Sequence, residues 1–253
     1  MQLSKAQQRE IFQNGYTHLR EVIPQELVNA ALFAINNSLG LHGMHPDDLP
    51  TLRAQSYCPE LSSTPAITDL FFASPLHSIC ESAFGEGNVD PIISGQIALR
   101  FPGAWPKPYL SRPHIDGIAT SNNGVTPGEI ANFTALVGIF LSDVSQNDSG
   151  NFTVWPGTHH AYEKHLQTHG VQALVDGAPE IDLPSPESIK ARAGDAVICH
   201  YQLGHGMVPN LSPHIRYAIF FRVSHRELDA HRVEALTDIW RDWPGIETKI
   251  ADE

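Results

Sequence analysis

The sequence is short of cysteine, of basic residues and of long apolar runs, and each shortage excludes a class of protein. Its 253 residues include 3 cysteines, Cys58, Cys80 and Cys199, which lie far apart and form no C-x-x-C pair. This spacing predicts free thiols in a reducing compartment rather than a disulfide framework. The polar segment MQLSKAQQRE does not resemble a secretory signal, and no apolar run reaches the roughly 18 residues that cross a bilayer. We therefore expect a soluble cytoplasmic protein with no membrane partner.

Basic residues are outnumbered by acidic ones, 16 against 28, which gives a formal net charge of −12. The lysines and arginines are scattered, with no run that would build a basic patch. The field of such a chain repels polyanions, so nucleic acid is not an expected partner. Hydrophobic residues make up 42% of the chain, enough to bury a sizeable core and to argue against disorder. Nothing in the composition indicates an oligomeric state.

The N-terminal part of the chain has the apolar spacing of helices. Helices are predicted over 4–14, 24–40 and 64–84, and a glycine ends each of the first two. Ser4 is a good N-cap for the first helix, and Gly15 stops it. A proline opens the second helix, where its missing N–H costs nothing.

The pattern changes at about residue 89, where short β-branched runs begin to alternate with turn residues. The clearest runs are PIISGQIALRF, NFTALVGIFLSDV, GNFTVWPG, DAVICHYQ and RYAIFFRV. A last helical segment, EALTDIW, follows them. We expect one domain, with mainly helical support over 1–88, a strand-rich core over 89–225 and a helical segment over 226–253. Helices followed by strands favour a β-sandwich or barrel braced by helices.

The segment RPHIDG places His114 and Asp116 two residues apart. On an extended strand these two side chains share one face, because strand side chains alternate. An imidazole and a carboxylate side by side supply two ligands to one divalent metal, and a second histidine from elsewhere would complete a facial triad. That ligand set leaves coordination positions open, as non-haem Fe(II) oxygenases require for a cosubstrate and O₂.

His205 is the best candidate for the third ligand. It ends the strand-like AVICHYQLGHG, and a turn-rich stretch separates it from RYAIFFRV. This pattern predicts a hairpin that places Arg216, at 216 − 205 = 11 residues onward, on the neighbouring strand. An arginine there can bind the carboxylate of a chelating 2-oxo acid through two hydrogen bonds. His200 lies earlier in the strand and His214 lies in the loop, so both fit less well.

The residues alone also allow the alternative that His114, Asp116 and His205 do not form a metal site. An H-x-D pair is a weak signal in a chain with 14 histidines. His114 and Asp116 could form a surface turn, and His205 could simply end a strand. Trp105 and Tyr109, in the proline-rich stretch before the motif, could line a substrate entrance or pack in the interior.

Taken together, the motifs resemble those of the phytanoyl-CoA dioxygenase family of Fe(II)- and 2-oxoglutarate-dependent oxygenases. The similar elements run in the family's order along most of the chain, from about Ser4 to Trp243. They are the N-G-Y strand entry in FQNGYTHLREVIPQELV, the H-x-D-G of HIDG, the P-G-T-H of SGNFTVWPGTHH, and the distal histidine and arginine of GDAVICHYQLGHG and RYAIFFRV. Each element alone is common, but the combination is specific.

The resemblance implies a mainly β fold with flanking helices, built on a double-stranded β-helix (jelly-roll, cupin-like) core. It implies that His114, Asp116 and His205 bind Fe(II), that Arg216 binds the cosubstrate 2-oxoglutarate, and that O₂ is consumed. Many members carry serine or threonine two residues after the distal histidine, but this chain has Met207 there.

Two further 2-oxoglutarate contacts are predicted from the family. Gln96 precedes the metal motif where related hydroxylases carry a polar contact, and Thr134 in NFTALVG could donate its hydroxyl. Each could equally be an ordinary polar residue of a strand. Asp116 argues against halogenation, because halogenating relatives replace this carboxylate with a small residue.

We therefore expect a 2-oxoglutarate-dependent dioxygenase that hydroxylates an unactivated C–H bond of a small molecule and releases succinate and CO₂. One alternative keeps the cofactors but ends in desaturation, epoxidation or ring closure. Another is a cupin-like metal-binding protein without oxygenase activity, which would not need a carboxylate-binding Arg216. The sequence does not indicate which molecule is the substrate, nor whether it is CoA-linked.

Overall fold

The computed structural model describes residues 1–103, 112–175 and 177–246 of the 253-residue chain. Its helices and strands run in the order α1 (Lys5–Asn14), β1 (Tyr16–Leu19), α2 (Gln25–His42), α3 (Leu49–Ala54), α4 (Pro65–Phe72), α5 (Leu76–Phe84), β2 (Gln96–Arg100), β3 (Ala135–Phe140), β4 (Phe152–Val154), α6 (Thr158–His169), β5 (Glu187–Ser188), β6 (Ala196–His200), β7 (His205–Met207) and β8 (Arg216–Val223). Short 3-10 helices lie at Pro46–Asp48, Pro59–Leu61, Val171–Leu174, Leu228–Ala230 and Glu234–Leu236. No helix within the described ranges is long and apolar enough to cross a membrane.

The strands of the described ranges form two antiparallel sheets. One sheet has the order β1-β6-β3-β8-β2 and the other has the order β5-β4-β7. Phe152 of the smaller sheet contacts Phe220 of the larger one, with ring centroids 5.3 Å apart, so the two sheets face each other. The expected fold of β-sheets with flanking helices is confirmed, and the antiparallel arrangement is consistent with a cupin-like fold.

The larger sheet separates two hydrophobic cores, because the side chains of each strand alternate between its faces. On β8, Ile219 and Phe221 pack into the core shared with the N-terminal helices. Ala218 and Phe220 pack into the core between the two sheets. The ring of Phe152 lies 5.4 Å from the ring of His205, so the candidate metal ligand lies on the side of the second core.

The first helix begins and ends as predicted, and the second does not. The Ser4 hydroxyl accepts a hydrogen bond from the Gln7 amide, and the Gln7 side chain accepts one from the Ser4 amide, which completes a capping box. Gly15 ends α1 with a φ of 82°. The prediction that Gly40 ends the second helix is wrong, because α2 continues until Gly43 at a φ of 64°. A lone glycine costs a helix only about 1 kcal/mol, which the packing of α2 outweighs.

The helix predicted over 64–84 is in fact two helices, α4 and α5. Pro75 has no amide hydrogen to donate, and the Ser74 hydroxyl donates instead to the carbonyl of Leu70 at 2.7 Å. These two residues therefore end the regular helical hydrogen bonding. The last helical segment, predicted for EALTDIW, forms one 3-10 turn at Glu234–Leu236 rather than an α-helix.

The hairpin predicted to place Arg216 beside His205 in one sheet is wrong. β7 pairs with β4 in the smaller sheet, whereas β8 lies between β3 and β2 in the larger one. The connection contains Pro209 and Pro213, which cannot donate to a strand ladder. The Asn210 side chain instead donates to the carbonyl of Arg100 on β2 at 2.8 Å and to the carbonyl of His214 in the connection at 2.7 Å. Arg216 therefore faces the strand of His205 across the interior.

Candidate metal centre

Two distant segments of the chain meet at His114 and His205. The two residues exchange backbone hydrogen bonds, His114 N to His205 O at 2.9 Å and His205 N to His114 O at 3.0 Å. Their ring centroids lie 4.5 Å apart. The backbone pairing therefore brings both imidazoles to the same side of the smaller sheet.

The P-G-T-H element holds the residue before His205 in place. Thr158 Oγ1 accepts a hydrogen bond from Gly204 N at 2.8 Å and donates one to Trp155 O at 2.7 Å. Trp155 N donates in turn to Gly204 O at 2.9 Å. The start of α6 thus fixes the backbone from which the His205 side chain projects, which explains why this motif accompanies the distal histidine.

A turn that requires glycine follows Asp116. Gly117 has a φ of +79°, and a Cβ at this position would overlap the carbonyl oxygen of Ala131. Ala131 N donates to Gly117 O at 2.8 Å, which fixes this close approach. The chain then leaves the site, and Ile118 pairs with Ile130 in an isolated β-bridge. The glycine of H-x-D-G is therefore needed for the geometry that follows the carboxylate.

The three side chains converge through their ligand atoms. Asp116 Oδ1 lies 3.5 Å from His114 Nε2 and 3.6 Å from His205 Nε2. His205 Nδ1 lies 2.9 Å from the carbonyl of Leu203, which can only accept, so Nδ1 carries the proton and Nε2 presents its lone pair to the site. In the described part of the chain, this is the one group of three or more His, Cys, Asp or Glu residues whose ligand atoms all lie within 4.8 Å of one another.

The electrostatics of the site favour the protonation states that bind a cation. Burial alone would raise the pKa of Asp116, but the Arg222 guanidinium 2.7 Å away and the adjacent His114 and His205 imidazoles hold it well below its usual value. Desolvation and the neighbouring His205 both lower the pKa of His114. At neutral pH the site therefore offers a carboxylate and a neutral His114 imidazole, as metal ligation requires.

Arg216 is a buried cation, only 3% exposed. Its Nε donates to Gly150 O at 2.9 Å, one terminal nitrogen to Ala98 O at 3.0 Å, and the other to Met207 Sδ at 3.3 Å. Burial and the neighbouring Arg100 lower the pKa of Arg216 to about 9, so it stays charged at neutral pH. No carboxylate among the described residues pairs with it. A guanidinium has five N–H groups, so Arg216 retains donors for a ligand carboxylate.

Gln96 lines the same cavity but contacts a different arginine. Its Oε1 accepts from Arg222 at 3.1 Å and its Nε2 donates to Ala54 O at 3.3 Å. On β2, Arg100 rather than Gln96 lies opposite Arg216 in the strand register. A 2-oxoglutarate contact for Gln96 stays a prediction, and the structure gives this side chain a second candidate role through Arg222.

Thr134 lies away from the other predicted residues. Its hydroxyl accepts from His225 N at 2.8 Å and is buried. The register pairs Ala135 with Val223, so Thr134 lies at the opposite end of β8 from Arg216, about 25 Å along an extended strand. Thr134 does not line the cavity within the described residues, and the structure does not bring it to the predicted cosubstrate contact.

Two arginines of the site were not singled out from the sequence. Arg100 lines the cavity from β2, and Arg222 lines it from β8. The sequence did contain a signal for Arg222. Side chains alternate along a strand, and Arg222 lies six residues after Arg216, so both lie on the same face of β8. Gln96 and Arg100 likewise share one face of β2.

The candidate ligands open into a cavity of about 930 Å³. His114, Asp116, His205 and Arg216 all line it. The His114 side chain is 57% exposed and that of His205 is 6% exposed, so the site is open on the side of His114. The chemistry of this donor set fits a divalent metal, with a carboxylate-binding cation in the same cavity.

The alternative histidines lie elsewhere. His200 is buried with its Nε2 3.0 Å from Ile239 O, and burial lowers its pKa to about 4. His214 is exposed in the connection between β7 and β8. Trp105 and Tyr109, the candidates for a substrate entrance, lie outside the described residues.

The chain is similar to known proteins in sequence and in fold. The family model described as phytanoyl-CoA dioxygenase (PhyH) matches residues 12–218. A search of curated proteins finds no match.

Three solved structures illustrate the similarity in fold. The non-haem α-ketoglutarate-dependent carbocyclase SnoK, from nogalamycin biosynthesis, is 21% identical over 91% of this chain and 90% of its own, with a TM-score of 0.56. HygX from Streptomyces hygroscopicus, solved with nickel, 2-oxoglutarate and hygromycin B bound, is 15% identical over 88% of this chain and 87% of its own, with a TM-score of 0.56. The nickel complex of the non-haem monooxygenase ThoJ is 17% identical over 86% of this chain and 78% of its own, with a TM-score of 0.54.

Proposed function

Because the chain belongs to the phytanoyl-CoA dioxygenase family, we propose that it is a dioxygenase that hydroxylates an unactivated C–H bond of a small molecule. The family uses Fe(II) and 2-oxoglutarate, with O₂ as the second cosubstrate. One observation carries the proposal for this chain. Three ligand atoms within 4.8 Å of one another share a cavity with a buried arginine that has no carboxylate partner among the described residues.

His114, Asp116 and His205 would hold the iron. The Nδ1–H of His205 is fixed by Leu203 O, so Nε2 is free to ligate, and Asp116 Oδ1 faces both histidine Nε2 atoms. When bound, the iron supplies O₂-dependent oxidative decarboxylation of 2-oxoglutarate to succinate and CO₂, coupled to oxidation of the substrate. The protein contributes a fixed set of three ligands that leaves positions open.

Arg216 would bind the carboxylate of 2-oxoglutarate that lies away from the metal. Its side chain is held by Gly150 O and Ala98 O, so the guanidinium is already oriented before the cosubstrate arrives. A carboxylate there neutralises a buried cation that otherwise lacks a counter-charge among the described residues. Met207 Sδ accepts from Arg216 in the present arrangement, and a carboxylate oxygen is the stronger acceptor.

The substrate would enter from the open side of the cavity. His114 is the more exposed ligand, and Ile115, Ile118 and Val125 of the same part of the chain line the cavity. A volume of about 930 Å³ is enough for 2-oxoglutarate together with a small molecule. HygX, whose structure contains hygromycin B, shows that a protein of this fold can hold such a compound.

The fold assignment belongs to the same proposal. We infer that the two facing sheets are the halves of a jelly roll, because β3, β6 and β8 of one sheet face β4 and β7 of the other across a shared core. The whole chain would then form one oxygenase domain, with the helices over 1–88 supporting the outer face of the larger sheet.

Other outcomes share these cofactors. SnoK is a carbocyclase, so ring closure is known in this fold, and desaturation or epoxidation would need the same ligands. Asp116 occupies the position that a halogenating enzyme would need for halide. A cupin-like metal protein without oxygenase activity is the main alternative, and the buried Arg216 is the feature that argues against it.

The proposal can be tested without a known substrate, by measuring the conversion of 2-oxoglutarate to succinate. Wild-type protein with Fe(II), ascorbate and 2-oxoglutarate should release succinate slowly and only in the presence of O₂. His205→Ala should release none, because one histidine ligand is lost, while Thr134→Val, away from the cavity, should match wild type. Succinate release that is equal in wild type and His205→Ala would exclude the proposed site.

A further inference from the structure

Arg222 is placed to act on the metal site through Asp116. One terminal nitrogen of Arg222 donates to Asp116 Oδ2 at 2.7 Å. The same nitrogen donates to Gln96 Oε1 at 3.1 Å, so both of its hydrogens are engaged. The guanidinium carbon lies 5.9 Å from the centroid of the Phe133 ring, which supports the group from one side. These contacts give the arginine a defined orientation although its side chain is 40% exposed.

The two oxygens of Asp116 have different environments as a result. Oδ1 faces His114 Nε2 at 3.5 Å and His205 Nε2 at 3.6 Å. Oδ2 points away from the histidines to Arg222. A carboxylate can offer a metal one oxygen or both, and the second oxygen takes up a position that a cosubstrate would otherwise use.

We propose that Arg222, oriented by Gln96, is a positioning residue. It holds Oδ2 of Asp116 in a hydrogen bond, so that only Oδ1 binds the metal. The inference rests on the proposed function, because it requires a metal between Asp116 and the histidines. It gives Gln96 a role that is distinct from contact with 2-oxoglutarate. It also explains why an arginine lies beside a cation site, where charge alone would disfavour it.

Two effects of removing Arg222 oppose each other. Loss of a positive charge near the site favours binding of a cation, whereas loss of the hydrogen bond frees Asp116 to rotate. Water screens the first effect, because the Arg222 side chain is 40% exposed and Asp116 is 15% exposed. Partners that orient a metal ligand are typically worth about 10- to 100-fold in metal affinity. The orienting effect is therefore the larger one.

The test is a titration of metal-free protein with Co(II), followed by calorimetry and by the visible d–d absorption of the bound ion. We expect Arg222→Met to bind Co(II) about 10- to 100-fold more weakly than wild type. Arg222→Lys keeps the charge and one donor, so it should recover part of the loss. Gln96→Leu should weaken binding less than Arg222→Met, because it removes only the orienting contact.

The matched control is Arg53→Met, which removes an exposed arginine from the rim of the same cavity. It should leave Co(II) affinity and the d–d spectrum unchanged. A double-mutant cycle separates positioning from a general structural effect. In the Asp116→Ala background, Arg222→Met should cause no further loss, because the residue through which it acts is gone.

Two results would overturn the inference while leaving the proposed function intact. One is wild-type or tighter Co(II) binding by Arg222→Met, and the other is an equal loss in the Asp116→Ala background. Thermal unfolding of each variant identifies any that fail to fold, and Arg222→Lys then serves in place of Arg222→Met. Absence of Co(II) binding by wild type would instead overturn the proposed metal site itself.

Discussion

Replacement of Arg216 by methionine should separate cosubstrate binding from metal binding. The variant keeps an apolar stem of similar length but removes the buried guanidinium, which is 3% exposed. Loss of one partner from a buried, hydrogen-bonded charge pair costs about 2–5 kcal/mol. Since each 1.4 kcal/mol is about tenfold, the dissociation constant for 2-oxoglutarate should rise by at least roughly 30-fold. Metal affinity should stay near that of wild type.

The assay is calorimetric titration of 2-oxoglutarate into nickel-loaded protein, because Ni(II), unlike Fe(II), is not readily oxidised by O₂. Arg216→Lys keeps the charge but not the planar pair of donors, so it should recover only part of the affinity. Arg53→Met is the control for a lost cavity arginine. Unfolding must also be measured, because Gly150 O and Ala98 O lose their donor in Arg216→Met. Wild-type 2-oxoglutarate affinity in a folded Arg216→Met variant would refute the proposed contact between Arg216 and the carboxylate of 2-oxoglutarate.

Further predictions concern backbone geometry and a residue away from the cavity. Gly117→Ala should lower the unfolding temperature and weaken metal binding, because a positive φ costs a non-glycine residue about 1–2 kcal/mol and the new Cβ overlaps Ala131 O; an unchanged melting curve would contradict this. Thr134→Val should cost about 1–2 kcal/mol of stability through the lost hydrogen bond from His225 N. Its 2-oxoglutarate affinity should equal that of wild type, and a large loss would restore Thr134 as a cosubstrate contact.

Local signals in the sequence were sufficient for some elements and not for others. The N-cap at Ser4 and the stop at Gly15 depend on neighbouring residues only, and both predictions were confirmed. The break at Pro75 was visible in the sequence, but the apolar spacing on both sides concealed it. The pairing partners of β7 and β8 depend on contacts between distant strands, which spacing along the chain does not contain.

The same distinction applies to the candidate site. His114 and Asp116 lie in one short motif. The strand-and-turn pattern and then the family's order of motifs pointed to His205 and Arg216, which the structure brings into one cavity. Arg222 is neither a metal ligand nor the predicted partner of 2-oxoglutarate. It contacts the ligand Asp116 from another strand, and no motif in the sequence marks a residue of that kind. The position of Thr134 follows from strand register, which no residue pattern specified.

The most direct test of the account is an anaerobic titration of Fe(II)-loaded wild-type protein with 2-oxoglutarate, followed by visible absorption. A chelate formed at the site of His114, Asp116 and His205 should give a weak charge-transfer band that saturates at one equivalent of bound cosubstrate. The band should be absent in His205→Ala and should need far more 2-oxoglutarate in Arg216→Met. Iron that binds to wild type without producing the band would contradict the account and favour a metal-binding protein that is not an oxygenase.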